Sequence, residues 1–491
     1  NDSLPKPPAS IRRYALPVLA RNSGNLSCDL VTIKSAILQK DHVLEGEAAI
    51  RNTGQRLQNK LLQIFINQKQ VAQAMAEVPA GGSVTVPWRC VLDQTGFMSG
   101  YAMLEDDDWL EDNRFYFSFF VPERIRTGLV GAESPDGYFV QLALQPNRQT
   151  TFIYDVVPTP VEQLAFQKAD DLDVLVLCNV SALSTAAVEW IDNFCRLGKG
   201  VIFILGPQTD LTLYNRELHR RLGMPLLRDV MGSLQAPAST FGLGAVDLQH
   251  PLFHGLFETP QARFGDPVFH WAIRMVPDDA TTTVIPFSSG DPFLVEWQHA
   301  SARFLAFAAG FQEQVSDLAY RAMFAPLMHR SISYVHSRSK ENAELLYTGD
   351  RLRYQLPAEL LAATIELHRP DQRNERMAVV RMADQGHWII YPATDCPGLY
   401  QLTAQGRVLT QWAVNIPASE RDVQPLDNEQ LQKRFSLQPL EPSANLAQTI
   451  VEQRSGKELW SYFIWAALVL LCVEMLLYYE KGEAPSNGPA E

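Results

Sequence analysis

At 491 residues and 46% apolar side chains, the chain has room for about three domains of roughly 150 residues, each with its own core. Basic residues number 42 against 55 acidic ones, a net charge of −13. No segment gathers Lys and Arg into a patch that would hold a phosphate backbone, so nucleic acid is not an expected partner. The six cysteines (Cys28, Cys90, Cys178, Cys195, Cys396, Cys472) are scattered, without the close pairs of a metal or redox motif.

Residues 1–23 open on Asn1 without a signal-peptide pattern and read as an extension left by a missing upstream region. Residues 24–122 read as short strands: 27–38, 45–54, 60–78, 83–92, 100–107 and 114–121. Alternation at Leu62, Ile64, Ile66 and at Val84, Val86, Trp88 predicts sheets with one dry face, in an immunoglobulin-like sandwich. Cys28 and Cys90 fall on strands of this domain and could pair in an oxidising compartment, but two unpaired core thiols are the simpler expectation. The acids Asp106, Asp108 and Asp112, in a run with Glu105, Asp107 and Glu111, could gather oxygen ligands around calcium. They lack the glycine spacing of a calcium loop, and a solvated turn between strands is the simpler reading.

From 123 to 340 strands alternate with helices, predicting a flavodoxin-like domain with a parallel sheet and right-handed crossovers. Helices are expected at 137–146, 160–169, 184–197, 213–223 and 319–337. In the third, Ser184 is placed to cap, Val188, Ile191 and Phe194 recur on one face, and Gly198 closes. Domains of this type that hydrolyse glutamine hold a cysteine on the sharp turn after the strand that follows the third helix. Here that turn is Ile204-Leu205-Gly206-Pro207, with neither thiol nor hydroxyl, and 304–314 supplies no histidine base. Cys178, ending the strand DVLVLC at the edge where such sheets place their sites, is the remaining candidate nucleophile; a small buried apolar residue is the simpler reading. Cys195 reads as packing within its helix. The turn 130–137 (VGAESPDG) carries two acids and the wrong spacing for a phosphate loop, so no cofactor is expected. His250 and His254 have a helical ligand interval, but Pro251 interrupts it and no acid completes a zinc motif; surface histidines are the expectation.

Residues 341–418 return to strands as a second small β-sandwich, and 419–457 form a polar, proline-dotted juxtamembrane linker. Residues 458–480 are a transmembrane helix, since a bilayer needs about 20 apolar residues and aromatics stand at both ends, Trp460 among them. Only Ser461 and Glu474 are clearly polar within it. Glu474 could snorkel, protonate or pair with another helix, and an acid in the span is a functional flag. Arg454 and Lys457 before the span against Lys481 after it leave orientation undecided. A polar tail, 481–491, follows.

Several segments in order resemble the carboxyl-terminal half of bacterial aerotolerance-operon (BatA-type) membrane proteins, which carry a von Willebrand factor A-like domain. Residues 101–117 (YAMLEDDDWLEDNRFYF) resemble the last hairpin of the small β-domain that precedes a glutamine-amidotransferase-like domain in that group. Residues 398–400 (GLY), 413–417 (AVNIP) and 456–460 (GKELW) resemble its closing β-domain and the approach to its last membrane helix, and Glu474 falls where such helices carry an acid. Full-length members begin with two membrane helices and the von Willebrand factor A-like domain, neither of which is in this sequence. The resemblance implies a bacterial cytoplasmic (inner) membrane location with the bulk in the periplasm, and an amidotransferase-like domain without catalysis. The expectation is a non-enzymatic envelope scaffold whose partners are other envelope or membrane proteins, with an oligomer of the chain left open. The alternatives are a Cys178-dependent amide or ester hydrolase and a calcium-dependent adhesion module.

Overall fold

The computed structural model describes residues 13–15, 25–105, 113–146, 153–235, 240–253, 266–337, 345–382, 386–418, 437–439 and 459–481, with single positions at 429, 433 and 435 and the pair 450–451. It divides into one large unit, Gly24–Asp422, and a second made of the two chain ends. The first strand, β1 (Arg13–Ala15), belongs to the second unit.

In the large unit, β2 (Leu26–Ile33), β3 (Val43–Asn52), β4 (Gln58–Ile66), β5 (Lys69–Val78), β6 (Ser83–Val91), β7 (Gly96–Leu104) and β8 (Arg114–Val121) build two antiparallel sheets. Their orders are β2-β3-β6 and β5-β4-β7-β8, a β-sandwich. Leu62, Ile64, Ile66, Val86 and Trp88 all turn into the shared core, as their alternation requires. The apolar run 60–78 is two strands, because Asn67 and Gln68 both adopt left-handed conformations (φ 47° and 66°) that turn the chain back as a hairpin. Cys28 lies opposite Ile50 and Cys90 opposite Leu44, at the two ends of β3, so both are free thiols. The chain leaves β2 at Ile33, before the expected Leu38. Ile37 instead joins the core of the next domain, and Gln39 Nε2 donates to Tyr154 Oη (3.1 Å) and Ser333 Oγ (2.6 Å) there.

The central domain runs β9 (Ile125–Val130), α1 (Pro135–Leu144), β10 (Tyr154–Pro158), β11 (Val174–Cys178), α2 (Thr185–Arg196), β12 (Gly200–Ile204) and α3 (Leu211–Tyr214), which continues through a π turn to Leu222. Then come β13 (Leu226–Gly232), β14 (Trp271–Val276), β15 (Thr281–Pro286), β16 (Pro292–His299), β17 (Ala302–Phe307) and α4 (Phe324–His336). The sheet order is β10-β9-β11-β12-β17-β16-β15; the first five strands are mutually parallel, and β16 runs antiparallel to both its neighbours, β17 and β15. The expected cap and stop of α2 are present: Ser184 Oγ accepts from Ala187 N–H (3.2 Å) and Gly198 takes φ 77°. The expected helix at 160–169 is a 3₁₀ segment, Val161–Phe166, because Gln167 returns to extended backbone. Between residues 226 and 276 the chain brings β13 and β14 together as an antiparallel pair.

The third domain holds β18 (Leu346–Tyr347), β19 (Leu352–Leu356), β20 (Ile365–His368), β21 (Asn374–Arg376), β22 (Val379–Met382), β23 (Gly386–Tyr391), β24 (Gly398–Ala404) and β25 (Arg407–Asn415). They form sheets β18-β25-β24-β20-β21 and β19-β23-β22 around Leu367, Ile389, Tyr400, Leu402 and Val414. Its tie to the first sandwich is specific. The Asn415 side chain accepts from Tyr116 N–H (2.7 Å) and donates to Tyr116 C=O (2.9 Å), standing in for a neighbouring strand.

In the second unit β26 (Leu437–Pro439) pairs in parallel with β1. It also contains α5 (Trp460–Lys481), whose segment Trp460–Tyr478, mean hydropathy 2.0, is long and apolar enough to cross a membrane.

Candidate functional site

Open sheets with helices on both faces place their chemistry outside the carboxyl ends of the strands, where the strand order reverses. In this sheet that point lies between β9 and β11. Four loops meet there: 131–135 after β9, 179–184 after β11, 205–210 after β12 and 308–317 after β17.

The residue that joins these loops is Asp136. Ser134 caps α1 by accepting from Gly137 N–H (3.1 Å), and Pro135 begins the helix, so the helix's first turn aims Asp136 inward. Its side chain has no exposed surface. Asp136 Oδ1 accepts from the N–H groups of Phe311 (2.5 Å) and Gln312 (3.0 Å), which ties the loop after the last parallel strand to the helix after the first. Burial raises its pKa above the ordinary carboxylate value, opposed by those two amides and by the Asn179 side chain. Asn179 adopts a left-handed backbone (φ 49°), and its Oδ1 accepts from Gln208 N–H (2.9 Å).

The loops are packed to contact. A methyl group on Gly310 would stand 2.5 Å from Asp136 Oδ1, and one on Gly206 2.4 Å from Asn179 Oδ1. Cys178 lies beneath them, 1% exposed. Burial pushes its thiol well above the usual range, and the nearby Asp136 charge pushes the same way, so at neutral pH the group is a thiol and not a nucleophilic thiolate. Cys195 is equally buried on the core face of α2, and its thiol is likewise pushed up.

The other residues that the sequence singles out do not come together. Asp106, Asp108 and Asp112 lie outside the described residues, as does His254. His250 is not a surface residue: its side chain is 11% exposed, with Nε2 3.3 Å from Glu296 Oε1 on β16. Burial raises the Glu296 pKa, but hydrogen bonds from His250 and from Tyr334 (2.7 Å) outweigh it and hold the carboxyl below its ordinary value. Trp460 and Glu474 both lie on α5 and are exposed along it. No group of three or more His, Cys, Asp or Glu placed to hold a metal occurs among the described residues.

Motif reasoning misses Asp136, because it weighs the acid only against phosphate binding. The signal is present in Ser134-Pro135-Asp136-Gly137, a helix start that sets its third residue on the rim of the sheet.

No protein-family model matches the chain, and no curated protein matches it. Among solved structures, two cytoplasmic proteins from Salmonella typhimurium are each 14% identical, covering 50% and 49% of this chain and 97% and 96% of theirs, with TM-scores of 0.33 and 0.32. The CARDB domain of a Pyrococcus furiosus protein, solved with two metal ions, is 14% identical over 21% of this chain and 97% of its own, with a TM-score of 0.19. At these identities and scores, none of them says what this chain binds or does.

Proposed function

We propose that the chain is a non-enzymatic, membrane-anchored scaffold of the bacterial cell envelope, in keeping with its BatA-type resemblance. It is held in the cytoplasmic membrane by α5 with its bulk in the periplasm. In this reading the first sandwich is immunoglobulin-like, as three and four antiparallel strands in facing sheets suggest. The central domain is flavodoxin-like, which the second-first-third-fourth-fifth order of its parallel strands supports.

The observation that carries the proposal is the closed carboxyl rim. Asp136 Oδ1 and Asn179 Oδ1 accept from backbone amides of the neighbouring loops, and the Cys178 thiol at the rim is buried with its pKa pushed well above the usual range. Groups so committed hold loops in place. Glu474 stands four residues before Tyr478, about 6 Å inside the aromatic end of the span. We assign it to pairing with a membrane helix of a partner protein, one of the roles an acid takes in lipid.

The test is affinity purification of the full chain in mild detergent, with and without α5, combined with thiol labelling at neutral pH. Envelope proteins that co-purify, some of them lost with α5, and a Cys178 that labels only on unfolding are the expected outcome. Turnover of a small amide substrate that stops in Cys178→Ala would overturn the scaffold reading.

A further inference from the structure

Edge strands carry unpaired N–H and C=O groups that recruit further strands unless they are blunted. Several edges here are blunted. β8 meets β25 through Asn415 and through Ser118, whose Oγ donates to Gln411 C=O (3.2 Å). β6 carries Pro87, and β15 ends at Pro286 after two register breaks. β5 is different. Beyond a bulge at Val71, residues 72–78 pair without interruption against 58–64, and their other side has no partner strand among the described residues; at its end Val78 C=O accepts from Asn52 Nδ2 (3.1 Å). This stretch contains no proline and one charge, Glu77. Ala76 and Val78 face the core, while Gln73, Met75 and Glu77 point outward. Met75 is 66% exposed, the most exposed large apolar side chain described in the sandwich.

We propose that β5 is a self-association edge, pairing antiparallel with β5 of a second copy in the register centred on Met75, so that two four-stranded sheets become one continuous sheet. The charge pattern selects this partner. About a two-fold axis at Met75, Gln73 stands opposite the partner's Glu77, an amide donor against a carboxylate, and does so twice. Ala74 stands opposite the partner's Ala76 and Ala72 opposite the partner's Val78, while the two methionine side chains cover each other. A parallel in-register copy would set Glu77 against Glu77, and like charges directly opposite are unfavourable. One strand pair is a modest interface; copies held in one membrane plane meet at high effective concentration, which makes a modest interface sufficient.

The test uses the full chain in detergent micelles, followed by sedimentation over a concentration series. Wild type is expected to dimerise. Met75→Lys and Met75→Glu, each alone, are expected to raise the dissociation constant about tenfold or more by opposing like charges at the axis, while an equal mixture of the two restores dimers. Because Met75 is exposed, both variants should unfold at the temperature of wild type diluted to monomer, which separates lost association from lost folding. Monomeric wild type, Met75→Lys dimers as tight as wild type, or a mixture that fails to re-associate would each overturn the proposal. So would Glu474→Gln becoming monomeric while Met75→Lys stays dimeric, because association would then reside in the lipid-embedded helix.

Discussion

Two places on this molecule offer hydrogen-bonding backbone and side-chain groups, and the fold treats them in opposite ways. At the carboxyl rim of the parallel sheet, Asp136 and Asn179 turn inward onto the amides of Phe311, Gln312 and Gln208. Along the outer side of β5, one row of backbone groups faces outward beside Gln73, Met75 and Glu77. A rim whose Asp136 Oδ1 and Asn179 Oδ1 are occupied holds loops; an edge with no partner strand among the described residues can hold another strand. The location of a site in a fold family is therefore a weaker guide to function than an account of which groups are already partnered.

The sharpest way to break this comparison is at Asp136. Asp136→Ala leaves two buried N–H groups without acceptors and is expected to destabilise the central domain by about 3 kcal/mol in denaturant unfolding. Asp136→Asn keeps an acceptor oxygen for both amides and removes the buried charge, so it should be close to neutral at pH 7. The pH dependence follows from the direction of the shift. A carboxyl whose pKa is raised on folding contributes stability that is fully present below its unfolded pKa and is lost as pH rises through the folded value. Asp136→Asn should flatten that decline, and an unchanged pH profile would show that the carboxyl is not the group responsible.

Gly310→Ala tests the packing of the same rim. Its methyl group must displace the Asp136 carboxylate from 2.5 Å, and a loss of about 1–3 kcal/mol is expected, of the size seen for overpacked cores. Asn415→Ala sharpens the contrast from the side of a blunted edge. It removes both hydrogen bonds to Tyr116 and should cost about 1–2 kcal/mol, read as earlier unfolding of the third domain relative to the first sandwich. Smallest is Met75→Lys at the open edge, where stability compared at concentrations that keep both proteins monomeric should change by no more than about 0.5 kcal/mol although dimerisation is weakened. A large stability loss there would mean that β5 is covered within a single copy.

Much of the architecture is legible because it repeats locally. The alternation of Leu62, Ile64 and Ile66, the cap at Ser184 with the stop at Gly198, and the apolar run ending at Tyr478 each encode an element within a few residues. The misreadings have particular causes. Ile37 resembles a continuation of β2 because it is apolar, but the core it joins belongs to another domain. The turn between β4 and β5 is hidden because Asn67 and Gln68 take left-handed conformations without a glycine to announce them. His250 reads as a surface residue because its partner, Glu296, is 46 positions away on β16. The rim is illegible for the same reason: 175 residues separate Asp136 from Phe311.

By itself, then, the amino-acid order determined most of the strands and helices, the alternation of α and β in the middle of the chain and the apolar segment near its end. These depend on dihedral preference and on periodic apolar side chains, which act over one or two turns of chain. Only the tertiary structure decided which polar groups are satisfied and which remain available, joining the loops at the rim of the central sheet and leaving β5 of the first sandwich without an outer partner strand among the described residues. Hydrogen bonds need partners within about 3 Å, and residues that distant in sequence become neighbours only when the domains have packed.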